Sequence, residues 1–352
     1  MMNLAPYLKL MADKKASDLY LTANAPVKIR VEGRIASVGK TVLTPEMVEE
    51  AIMGVLSERD RRVLEVDMEV DFALSEKGVG RFRGNAFRQR GQLAMVLRYI
   101  PSSVPELETL GLPSVLKDVA MTARGLVLMC GATGSGKSTT LAAMINHRNQ
   151  NANNHILTIE DPIEYTHRHG KSIINQRELN QDTLSYAKAL RSALREAPDV
   201  IQIGEIRDRE TMESCIQLSG TGHLAISTLH SNNAHQTLDR IVNLFPKELH
   251  SQVFMDLSLN LRAIISQRLI LGVDGKRVAA CEVMINTAYI AELILKGQIE
   301  QIAEAMEDSN EPGMQTFDEA LSQLYQQGKI ELEEALRNAD SRANLEAKIN
   351  FG

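Results

Sequence analysis

The chain has 352 residues, more than one ordinary hydrophobic core organises and enough for two domains. Apolar residues make up 44% and charged residues 24%, the balance of a globular protein, and no apolar run nears the roughly 20 residues that span a bilayer. A net charge of −6, 4% aromatics and no Trp count against a surface for phosphate backbones or stacked bases, so no nucleic-acid partner is expected.

Residues 4–16 read as a short helix. Period-two alternation follows at Leu19 and Leu21, then at Val27, Ile29 and Val31, with Gly33 marking a turn. Thr44-Pro45 is an N-cap followed by proline, and the helix it opens runs to about Leu56. Strands follow at 70–74, 80–88 and 92–99, giving a small α/β domain over 1–100. Pro101, Pro105 and Pro113 cluster between two patterned regions, so 101–112 reads as a connection. The next stretch, 113–275, alternates apolar strands (125–131, 155–160, 199–204, 224–229) with helical spacing at 138–147 and at Leu184, Ala187, Leu190 and Leu194. That order implies a parallel sheet wrapped on both faces. From about 234 the pattern reads as almost purely helical, with stripes at Leu238, Ile241, Val242 and at Val253, Leu257, Leu261, Ile264, Ile265. Residues 276–352 read as a mainly helical carboxy-terminal region, whose tail from Tyr289 to Gly352 is several short helices broken at Gly297, Glu311-Pro312-Gly313 and Gly328. Cys130, Cys215 and Cys281 are isolated and form no CxxC pair, which disfavours a zinc site and suits a reducing compartment. The amino-terminal Met1-Met2-Asn3-Leu4-Ala5-Pro6 lacks the basic flank and apolar core of a signal peptide, so a cytoplasmic location is expected.

The strongest chemical signal is Gly131-Ala132-Thr133-Gly134-Ser135-Gly136-Lys137-Ser138, followed by Thr139, between an apolar strand and a helix. Glycines let backbone N–H groups curl around phosphate oxygens, and the helix that follows aims its positive end at them. Lys137 supplies a charge for the β- and γ-phosphates and Ser138 a hydroxyl for Mg²⁺, so the pattern implies ATP or ADP with Mg²⁺. Ile159-Glu160-Asp161-Pro162-Ile163-Glu164 places three carboxylates after a strand, and phosphoryl transfer to water needs one that orients the nucleophile; a solvated acidic turn is the competing reading. Val200-Ile201-Gln202-Ile203-Gly204-Glu205 is a strand ending in an acid, with Gly204 where an aspartate is customary. His223 and His230 bracket another strand and are candidates for sensing the γ-phosphate, against an ordinary structural role. Residues 80–90 are a basic hairpin with Arg98 following. Arg83, Arg88 and Arg98 are the candidates for stabilising a transferring phosphoryl group, against the alternative of a solvated edge protected by charge.

These pieces in this order resemble the type IV pilus retraction ATPases, the PilT and PilU group of the secretion-superfamily ATPases, with the PilU branch the nearer. The resemblance runs nearly end to end. It includes Ser17-Asp18-Leu19-Tyr20, Val31-Glu32-Gly33-Arg34, 80–88 and Arg124-Gly125-Leu126-Val127. Residues 159–164 match the family's Asp box, Gly204-Glu205 its Walker B element, and Gly222-His223 with Thr228-Leu229-His230 its His box. The resemblance implies a PAS-like α/β amino-terminal domain joined to a RecA-like P-loop ATPase domain with a helical carboxy-terminal region. It implies Glu164 as the water-polarising acid, Glu205 as support for Mg²⁺ and the attacking water, and His223 and His230 as couplers of nucleotide state to motion. The arginines would close over the γ-phosphate in a homohexameric ring that powers pilus retraction and twitching motility. Its partners would be a PilT-like ring and an inner-membrane platform protein, placing it peripherally at the inner-membrane pilus machine.

Two departures shape that reading. The tetracysteine zinc insertion of extension ATPases is missing. In place of the PilT stretch Ala-Ile-Arg-Asn-Leu-Ile-Arg stands Tyr289-Ile290-Ala291-Glu292-Leu293-Ile294-Leu295-Lys296-Gly297, while Leu257-Ser258-Leu259-Asn260-Leu261 and 313–318 look PilU-like. An accessory retraction motor is therefore the expectation. The alternatives are a non-hydrolysing coupling partner, a type II secretion assembly ATPase and a nucleic-acid translocase.

Overall fold

In a computed structural model, which describes residues 3–101 and 103–351, the chain divides into two units. They are Met1–Ser103 with Glu164–Thr166, and Val104–Ile163 with His167–Gly352. The Met1-Met2 start of the segment read for a leader, and Ser102 in the proline-rich connection, lie outside the described residues.

The first unit begins with α1 (Ala5–Asp13), β1 (Asp18–Thr22), β2 (Pro26–Val31) and β3 (Arg34–Val42). Helix α2 (Pro45–Val55) starts where the Thr44 hydroxyl accepts the Met47 N–H, with proline in the first turn, where its missing N–H costs nothing. Helix α3 (Glu58–Asp67) is mostly charged and buries only Leu64, so it carries no apolar stripe; the Ser57 cap is its one local signal. Strands β4 (Glu69–Glu76), β5 (Gly80–Gln89) and β6 (Gln92–Ile100) complete a six-stranded antiparallel sheet in the order β3-β2-β1-β6-β5-β4. Leu19, Leu21, Phe72, Phe82 and Leu97 form one core with Val48 and Ile52 of α2. Strand β5 lies between β4 and β6, so the reading of its arginines as guards of a solvated edge is corrected.

The second unit opens with α4 (Val115–Met121), β7 (Gly125–Cys130) and α5 (Lys137–Asn151), followed by β8 (His155–Glu160) and β9 (Ile173–Glu178). Next come α6 (Tyr186–Ala193), β10 (Val200–Ile203), α7 (Arg209–Gly220), β11 (Leu224–Leu229), α8 (Ala234–Val242) and α9 (His250–Asn260). The chain ends through β12 (Leu261–Leu271), β13 (Arg277–Ile285), α10 (Ala288–Leu295), α11 (Ile302–Glu307), α12 (Phe317–Gln326), α13 (Leu332–Asn338) and α14 (Arg342–Phe351). The seven-stranded sheet has the order β13-β12-β7-β11-β10-β8-β9, parallel except for β13. The inner strands β7, β10 and β11 are buried along their whole length because both faces are covered. Leu126, Leu128, Leu157, Ile159, Ile201 and Ile203 point into one core, and Val127, Met129, Ile156 and Val200 into another.

The expectation of an almost purely helical chain after 234 is corrected by β12 and β13. The stripe read through Val253, Leu257, Leu261, Ile264 and Ile265 is helical only to Asn260, and its last three members lie on β12. A strand buried on both faces loses its period-two signature, so a short apolar run there is indistinguishable from a helix by spacing alone. The short helices of the tail and their breaks near Gly297, Gly313 and Gly328 are as read. Phe317, Leu321, Leu324 and Leu345 of the tail pack with Ile270 and Ala280, covering the outer strands of the sheet. Among the described residues no helix is long and apolar enough to cross a membrane.

Candidate functional site

Four parallel strands, β7, β8, β10 and β11, end at the same edge of the second sheet. In open α/β sheets ligands bind beyond these carboxyl ends. The ends deliver Gly131, Asp161, Gly204 and His230 in turn, so the sheet gathers four motifs spread over about a hundred residues.

The loop 131–136 joins β7 to α5. Gly131 (φ 144°) and Gly136 (φ 88°) adopt conformations that side chains disfavour, and both are also crowded. A Cβ on Gly131 would lie 2.5 Å from the Gln267 carbonyl, and one on Gly136 would lie 2.7 Å from the Gln267 amide nitrogen. Gly134 faces open space. Lys137 is buried and donates to the carbonyls of Gly131 at 2.8 Å and Ala132 at 2.9 Å. Burial pushes its ammonium pKa down, an effect the negative field of Glu205 partly offsets. The Ser135 hydroxyl is buried without a hydrogen-bond partner, a polar group of the kind a phosphate oxygen would satisfy. Ser138 and Thr139 open α5, with Ser138 exposed.

Sequence reasoning missed the residue that holds this loop from behind. Gln267 on β12 is buried, donates through Nε2 to the Ser135 carbonyl at 2.9 Å, and accepts from the Thr140 hydroxyl at 2.7 Å. Deeper still, Cys130 lies 2.9 Å from the Ser266 hydroxyl, which donates to Glu282; Glu282 also accepts the Ala234 N–H at 2.6 Å. Burial pushes the Glu282 carboxyl up to about 7. No local pattern announces Gln267 or Glu282, because both belong to the strands read as helix.

Glu205 is a half-buried junction. It forms an ion pair with Arg207, whose guanidinium pKa is raised by that hydrogen bond, and its other oxygen lies 3.4 Å from His230 Nε2. The absent aspartate at Gly204 has a steric reason: a Cβ there would sit 2.6 Å from the Tyr186 hydroxyl and 3.4 Å from the Glu160 Cα. That hydroxyl is buried and unpartnered, and its pKa is raised by burial and by the neighbouring acids. Glu160 is buried and accepts from Thr158 at 2.6 Å and Gln176 at 3.1 Å, whereas Glu164 is exposed and groups with the first unit.

The two histidines part company. His230 lines a cavity with Gly131, Ala132 and Arg240, a neighbour that sequence reasoning did not single out. His223 precedes β11 at the opposite sheet edge, roughly 20 Å away along the strand, and its ring contacts Thr221 and the Leu218 carbonyl. The pairing of both histidines about one phosphate is therefore corrected, since a strand separates its ends by its own length. In the first unit, Arg98 is held at 2.9 Å by the buried Asp18, and Arg83 lies 3.8 Å from Asp71. Arg88 is exposed, with no carboxylate partner among the described residues.

Among the described residues no three His, Cys, Asp or Glu side chains cluster as a metal site. Mg²⁺ needs none: it takes one or two protein oxygens and completes its shell with phosphate oxygens and water. The exposed Ser138 hydroxyl and the Glu205 carboxylate fit that donor set.

Residues 3–341 match the model of the type II/IV secretion system protein family. The chain is 51% identical over its whole length to the type IV pilus ATPase PilU of Pseudomonas aeruginosa, covering 92% of that protein. It is 44% identical to the type IV pilus retraction ATPase PilT of the same organism, over 98% of this chain and 100% of that one. Among solved structures, the pilus retraction motor PilT with bound ADP superposes with a TM-score of 0.92 at 43% identity, covering 98% and 99% of the two chains.

Proposed function

This chain belongs to the type II/IV secretion system protein family, and from that premise we propose that it is an ATP-hydrolysing motor subunit for type IV pilus retraction and twitching motility, in the accessory role of PilU. The carrying observation is the phosphate loop with buried Lys137 at the carboxyl edge of the sheet, beside Glu205. The ADP bound to the similar PilT motor supports a nucleoside di- or triphosphate as ligand. Bound Mg²⁺ supplies charge neutralisation between the phosphates. Loop N–H groups and the helix α5 amino terminus hold phosphate oxygens, and Lys137 leaves its carbonyl partners to take the β- and γ-oxygens. Ser138 and Glu205 hold the ion. Glu164 orients and polarises the attacking water, and arginines of the first unit stabilise charge on the transferring group. His230, through Glu205, transmits the loss of the γ-phosphate to the chain. The working assembly is a homohexameric ring alongside a PilT-like ring and an inner-membrane platform protein.

The test is steady-state phosphate release from the purified chain across magnesium and protein concentrations. Turnover abolished in Lys137→Ala supports the reading. Its absence in the unaltered chain would instead favour a non-hydrolysing coupling partner. Deleting the gene alone and together with that of a PilT-like motor, and scoring fibre retraction, separates an accessory motor from a sole one.

A further inference from the structure

The phosphate loop forms only one wall of its cavity. A space of about 580 Å³, ample for a nucleotide, runs from Gly134 to the apolar side chains of Leu269 and Leu271 on β12, with Arg277, Glu334 and Asn338 beside them. Glu334 and Asn338 lie on α13, a tail helix some 200 residues beyond the loop. An apolar surface beside a carboxylate and an amide is the chemistry that receives a heteroaromatic base and a ribose, not a phosphate.

Helix α13 packs into the tail core through Ala335, and Arg268 holds its carboxyl end to β12. Successive residues of a strand point to opposite faces, so Gln267 braces the loop while Arg268 turns to the tail. Arg268 donates to the Asn338 carbonyl at 2.6 Å and to Asp340 at 2.6 Å, and lies 3.8 Å above the ring of Phe317. It also reaches the Asn232 carbonyl at 3.4 Å. Asp318 fixes the next link by accepting the N–H groups of Asp340 and Ser341. The planar guanidinium spreads these contacts in fixed directions, a geometry that lysine does not reproduce.

We propose that Arg268 is a positioning residue that holds α13 as the nucleoside-facing wall of the phosphate-loop cavity, so that the carboxy-terminal helices contribute to nucleotide affinity and base selectivity. The inference rests on the nucleotide reading above. It makes tail docking and nucleotide occupancy reciprocal: each favours the other by the same factor.

The experiment compares ADP, GDP and tripolyphosphate binding to the full chain by calorimetry, with magnesium present. In Arg268→Ala, ADP affinity falls about tenfold, the size of one lost charge-assisted hydrogen bond, while tripolyphosphate affinity stays within about twofold. Arg268→Lys does not restore it. ADP protects the tail from limited proteolysis in the unaltered chain and fails to do so in the variant. Should Arg268→Ala unfold, the double variant Glu334→Ala, Asn338→Ala, which leaves the clamp intact, must show the same selective loss. Parallel losses of ADP and tripolyphosphate, or no loss of ADP in a folded variant, overturn the inference while leaving the nucleotide reading intact. An unaltered chain that binds neither ligand overturns both.

Discussion

Gly204→Ala tests the packing that leaves Glu205 as the acid of its strand. The backbone at 204 is not in the left-handed region, so the added methyl meets only its neighbours. Its nearest contact is the Tyr186 hydroxyl at 2.6 Å, well inside ordinary separation; the next are Glu160 Cα and the Ile159 carbonyl, both at 3.4 Å. Overpacking of this kind costs about 1–3 kcal/mol. Tyr186→Phe removes the obstructing oxygen, which has no hydrogen-bond partner, so by itself it should be neutral or stabilising by about 1 kcal/mol. In the Phe background the alanine then meets only tolerable contacts and costs little. A double-mutant cycle by urea unfolding of the second unit should therefore give a coupling of at least about 1 kcal/mol, against the few tenths expected of independent sites. Additive effects would refute the steric account of Gly204.

Glu164→Gln should bind nucleotide normally and release phosphate far more slowly, as read by ADP titration and a phosphate assay; unimpaired turnover would remove Glu164 from the chemistry. Arg88→Ala should lower turnover without changing the melting temperature, whereas Arg98→Ala should lower the melting temperature, because it strips a partner from the buried Asp18. Burial raises the Glu282 carboxyl to about 7 in the folded chain, above its unfolded value near 4.5. The folded state thus binds the proton more tightly, and stability falls as pH rises through that window before levelling above about 7. Glu282→Gln keeps the oxygen that accepts from Ala234 and Ser266, so it should stabilise by more at pH 8 than at pH 5, by up to about 3 kcal/mol. A gap independent of pH in urea unfolding would sink that explanation.

Contiguous signals carried most of the fold. A phosphate loop is a run of eight residues whose conformation is set by its own glycines and by the strand and helix that touch it in sequence, so Gly131–Ser138 was legible from order alone. The same holds for the cap at Thr44 and the alternation through β1 and β2, because each is decided within a few residues. What the order could not give was which strands become neighbours and how many faces each one buries. Strand β12 lies beside β7 although some 130 residues separate them, and burial on both faces erased the alternation that marks a strand. Gln267 behind the loop, Arg268 against the tail and Tyr186 over Gly204 followed only from that packing. Chain order therefore supplied the glycine-rich loop with its lysine and serine, and tertiary contact, which joins residues with no signal in common, decided what supports and encloses it.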